Sequence, residues 1–62
     1  MNPQDYITVF TTEGAQALAI DWQDWQAEQS LSYGELVEWQ ELFTMLGSKF
    51  NLTEEFKGNG VL

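Results

Sequence analysis

Cysteine, histidine and arginine are absent from the 62 residues, and Pro3 is the single proline. Without cysteine there is no disulfide to staple a small fold, and no thiolate for zinc or for nucleophilic attack. Without histidine the commonest general base and the commonest metal ligand are both missing. The only cations are Lys49 and Lys57. That excludes the basic surface with which proteins hold nucleic acid or an anionic membrane. Long apolar runs are missing too. The strongest, residues 17–20, is far short of a membrane span or a signal h-region, and Met1-Asn2-Pro3-Gln4-Asp5 lacks a positive n-region. These features lead us to expect a cytoplasmic protein.

Catalytic and metal motifs are lacking in the same way. No G-x-S-x-G, P-loop or dinucleotide fingerprint occurs. The Glu-x-x-His of carboxylate-bridged bundle sites needs a histidine, and no stretch fits a calcium loop. A loose divalent ion on Asp21, Asp24 and Glu28 is the only metal option left. Two carboxylates can serve as acid and base, but a chain this short has little concave surface to dehydrate them. We expect no enzyme, no cofactor and no metal.

What is present is apolar and acidic. Hydrophobic residues make up 44%, with three Trp, two Tyr and four Phe, which is too much for intrinsic disorder. A single domain over residues 1–62 is expected, although a chain of this size buries only about 60% of its unfolded surface. The net charge is −8. Residues 1–48 contain Asp5, Glu13, Asp21, Asp24, Glu28, Glu35, Glu38 and Glu41 and no base. Such a charge either keeps an aromatic-rich chain soluble or draws it to a basic partner.

The clearest local signal is Ser32-Tyr33-Gly34-Glu35, a capping box flanked by Leu31 and Leu36 as a hydrophobic staple. From there Leu36, Trp39, Phe43, Leu46 and Phe50 repeat at 3-4-3-4 spacing, which predicts a helix over about 33–51 that tolerates Gly47 at a cost of about 1 kcal/mol. Upstream, Thr12 is a candidate cap for a helix over about 13–29, with Glu13 in its first turn and a stripe of Ala15, Leu18, Trp22 and Trp25. Asn2-Pro3 is a cap-plus-first-turn pair. It introduces a short helical segment over about 3–11, although Ile7-Thr8-Val9 also suits a strand. Thr53-Glu54-Glu55-Phe56 reads as a capped turn over 53–57, followed by a tail over 58–62.

An unbroken heptad series runs through positions 15, 18, 22, 25, 29, 32, 36, 39, 43, 46 and 50. One long helix in a coiled coil would satisfy it. Its central members are Gln29 and Ser32, however, with Gly34 and the capping box beside them. A break is therefore expected. The fold class is all-α: a small helical hairpin with short terminal helical segments.

Ile20, Val37 and Met45 fall off the main stripes, and Leu42 lies beside one. Either Tyr6, Ile7, Val9 and Phe10 cover them, or another chain does. Unstapled small scaffolds often oligomerise, so we expect Ile20, Val37 and Met45 to serve self-association in a homodimeric helical bundle. The partner-binding candidates are Asp21, Asp24 and Glu28, expected on one flank of the Trp stripe, and Glu38 and Glu41, expected away from the next stripe. Asp21 to Glu28 spans roughly 10 Å of helix, about one charge per 5 Å. Duplex DNA carries one per about 1.7 Å, so nucleic-acid mimicry needs assembly. In composition, being short, acidic and helical, the chain resembles small phage and mobile-element proteins that bind and block host factors. The function expected is a non-enzymatic inhibitor docking on a basic surface, such as that of a nucleic-acid-binding protein. The alternative is a structural or assembly subunit whose acids serve solubility only.

Overall fold

Helix α2, Tyr33–Phe50, is the element on which the others pack. It begins at the capping box. Ser32 Oγ accepts from the Glu35 amide at 3.3 Å, and Glu35 Oε1 accepts from the Ser32 amide at 3.4 Å. The computed structural model describes all of residues 1–62 and contains helices but no strand. Preceding α2 are a 3₁₀ turn, Pro3–Tyr6, and helix α1, Thr12–Ala27; helix α3, Thr53–Gly58, follows it.

The N-terminal segment is shorter than the expected 3–11. Asn2 caps it by accepting from the Gln4 amide. The 3₁₀ turn ends at Tyr6, because the β-branched Ile7, Thr8 and Val9 lose side-chain freedom in a helix. Thr11, one residue before the expected Thr12, caps α1: its Oγ1 accepts from the Gly14 amide at 3.0 Å. Helix α1 stops at Ala27 instead of residue 29: the Glu28 and Gln29 amides donate to the Trp25 and Gln26 carbonyls three residues back, as a tightened last turn. The heptad series is therefore interrupted, and its central Gln29 and Ser32 are exposed.

Gly47 does not end α2. The helix continues to Phe50 and closes on Asn51, which adopts the left-handed conformation at φ 59°, while the Leu52 amide donates to the Gly47 carbonyl at 2.8 Å. Gly47 is needed for space. A Cβ there would lie 2.9 Å from Thr53 Oγ1 and 3.2 Å from Thr53 Cα, so its absence lets α3 fold back closely. Thr53 is the first residue of α3, and Leu52 precedes it without a side-chain cap.

The core is a ring-to-ring chain. Trp39 is 2% exposed. Its ring centroid lies 6.0 Å from that of Tyr6, 5.8 Å from Trp22, 5.9 Å from Trp25 and 6.0 Å from Phe43. Phe43 extends the chain to Trp22 at 5.2 Å and to Phe56 at 5.6 Å. Two residues one turn apart on α2 therefore join every other element. Ala15, Leu18, Ala19, Leu42, Leu46, Leu52 and Val61 complete the buried set. Val61 belongs to the supposed tail. Its amide donates to the Phe56 carbonyl at 2.8 Å, which turns its side chain inward.

Two side chains of α1 tie it to the C-terminal segment. Gln16 Nε2 donates to both carboxylate oxygens of Glu55, at 3.2 and 3.0 Å, and Gln23 Nε2 donates to the Asn59 carbonyl. No helix is long and apolar enough to cross a membrane.

Candidate docking surfaces

The five candidate acids are all exposed, but they divide between two places. On α1 the buried side is centred on Ala15, Leu18, Ala19 and Trp22. At about 100° per residue, Asp24 stands about 180° from Ala15, and Glu13, Asp21 and Glu28 lie within about 60° of Asp24. These carboxylates thus occupy the outward side of the helix. Asp21 and Glu28, about 20° apart, lie on the Trp25 flank as expected, and Asp24 lies farthest from the stripe.

Their position along the helix matters as well. Asp24 is in the last turn of α1 and Glu28 is its C-cap, where the dipole is negative, and no basic residue lies in that turn. A cation there contributes about 0.3–1 kcal/mol, and a carboxylate opposes the helix by a similar amount. Glu35 and Glu55, by contrast, hold the capping box and the Gln16 contact. Asp21, Asp24 and Glu28 take no part in the side-chain bonds that join the elements.

Glu38 and Glu41 lie elsewhere. Together with Leu42 and Met45 they form the α2 wall of an open groove of about 200 Å³. The opposite wall is the N-terminal turn, with Pro3, Gln4 and Ile7. Sequence spacing places Glu38 and Glu41 away from the packing stripe, and the structure adds that the N-terminal turn comes alongside them. The signals for it were the Asn2-Pro3 cap and the extra apolar Leu42; the contact between distant segments was not readable. Lys49, one turn beyond Met45, does not fill the groove. Its Nζ reaches the Val9 carbonyl at 3.4 Å and sits 5.3 Å from the Phe50 ring centroid.

The three self-association candidates are not gathered in the groove. Met45 lines it and is 39% exposed; Ile20 and Val37 do not line it. Ile20 is 61% exposed, on the stripe of α1 that carries Gln16 and Gln23, and Val37 is half-buried on α2. Tyr6 and Val9 pack on the core, while Ile7 and Phe10 remain 45% and 80% exposed. No three acidic side chains converge in a set that could hold a metal ion. No protein-family model, curated protein or solved structure matches the chain.

Proposed function

We propose that the chain is a small non-enzymatic binding protein whose carboxylates dock on a basic protein surface and block it, in the manner of an inhibitor. The observation that carries this reading is the outward side of α1. Asp24 and Glu28 stand where the helix dipole disfavours them, without a counter-ion, and contribute nothing to the packing. Acids that served solubility alone would do so equally well at a helix N-terminus.

Charge spacing limits the partner. From Glu13 to Glu28 the helix runs about 22 Å, so four carboxylates give about one per 7 Å. A nucleic-acid strand carries one per about 3.4 Å. One copy suits a cluster of a few Lys or Arg, and imitation of a nucleic acid requires two copies side by side.

The test is substitution in two sets. The triple variant Asp21→Asn, Asp24→Asn, Glu28→Gln should keep its helical circular dichroism and become more stable by about 0.5–1 kcal/mol, because repulsion from the dipole is relieved. Its affinity for a partner isolated by cross-linking in the native host should fall at least tenfold. Unchanged affinity, with solubility alone reduced, would overturn the reading.

A second reading is an assembly subunit, a homodimer through apolar surface, and it is favoured by the exposure of Phe10, Ile20 and Met45. Sedimentation separates the two. The second reading requires a dimer at micromolar concentration that Ile20→Glu, Val37→Glu or Met45→Glu dissociates.

A further inference from the structure

We propose that the groove between the N-terminal turn and α2 receives an arginine side chain of a basic partner segment, a claim that rests on the acidic-docking reading above. Its size and chemistry together select the occupant. At about 200 Å³ the groove is smaller than the roughly 300–1,000 Å³ of small-molecule sites. It fits one side chain. Leu42, Met45 and Ile7 supply an apolar bed, and Glu38 and Glu41, one helical turn apart, line the groove beside it.

A purely apolar side chain would leave two carboxylates beside it partly desolvated and unpaired, which is costly. A carboxylate would be repelled. A long alkyl stem with a terminal cation satisfies both parts, since such stems lie along apolar surface while the charged head stays at the edge. Arginine fits better than lysine because its planar guanidinium presents five donors and can serve two carboxylates at once. Met45 adds a flexible thioether that adapts to the stem.

A second copy of this chain is a poor occupant. It has no arginine, its Lys49 is held at the Val9 carbonyl, and each copy carries a charge of −8. Lys57 alone would have to offset the mutual repulsion.

The experiment is a nuclear magnetic resonance titration of the intact chain with acetyl-leucyl-arginyl-leucine amide at millimolar concentration and low salt. Its norleucyl and lysyl counterparts serve as controls. The arginine peptide should shift the Met45 and Ile7 methyl signals, the lysine peptide should shift them less, and the norleucine peptide should leave them in place. In the variant Glu38→Gln, Glu41→Gln the arginine affinity should drop about fivefold, whereas the α1 triple variant should bind as the wild type does. Both sites are exposed, so neither variant should disturb the fold, and circular dichroism checks this.

Shifts confined to the α1 acids would overturn the groove and leave acidic docking standing. Equal binding of the norleucine peptide would overturn the cation requirement. Groove shifts that follow protein concentration without peptide would assign the groove to a second copy. Absence of any shift would overturn the arginine site, while the cross-linked-partner measurement judges the broader reading independently.

Discussion

Trp39 carries more of this fold than any other side chain, because its ring meets those of Tyr6, Trp22, Trp25 and Phe43. Replacing it with Ala should cost about 3–5 kcal/mol. In a chain with no disulfide that is most of the available stability, and urea titration should find the variant largely unfolded. Trp22 behaves differently. It is buried, but its Nε1–H finds no acceptor, and an unsatisfied buried donor costs about 1–3 kcal/mol. Trp22→Phe removes that donor and keeps an aromatic ring against Trp39 and Phe43. The expected loss is below about 1 kcal/mol. A loss as large as that of Trp39→Ala would mean that indole volume outweighs the unpaired N–H.

At the level of elements, the two glycines of α2 predict opposite signs. A Cβ at Gly34 meets nothing within 4 Å, so Gly34→Ala should stabilise by about 0.5–1 kcal/mol through helix propensity. At Gly47 the same gain is outweighed by contact with Thr53, including its backbone. Gly47→Ala should destabilise by about 1–3 kcal/mol, and thermal unfolding of the pair reads both.

This contrast shows what the sequence made legible. The α2 start at Ser32 and its 3-4 stripe are local patterns, readable because capping and periodicity act within a few residues. The break in the heptad series followed from the same local chemistry. Gly47 read as a tolerated cost within a helix, since its reason for being glycine lies in Thr53, which packs back after the turn at Asn51. Val61 read as tail for a similar reason. Its burial depends on amide bonds to the Phe56 carbonyl, which no periodicity announces. The groove needed two segments about 35 residues apart in sequence to meet, so Glu38 and Glu41 were identifiable as acids but not as groove-lining residues.

For the whole molecule, the radius of gyration is 10.7 Å, against about 10.6 Å for a compact chain of this length. A single copy is therefore as compact as a folded chain of its length. That leaves the acids surplus to folding: five exposed carboxylates in two places, one group opposed to its own helix dipole, the other bordering an apolar groove. These charges are proposed to bind a basic partner. The most direct measurement is the partner's dissociation constant as a function of salt. Exposed charge pairs are screened within about 10 Å at 0.1 M ionic strength, so Kd should rise steeply, at least tenfold, between 50 and 300 mM salt. The variant neutral at all five acids should show a much shallower dependence, set by Glu13, which stays on the same side of α1. A Kd that is independent of salt in the wild-type chain would contradict the claim and leave apolar assembly as the explanation of the interface.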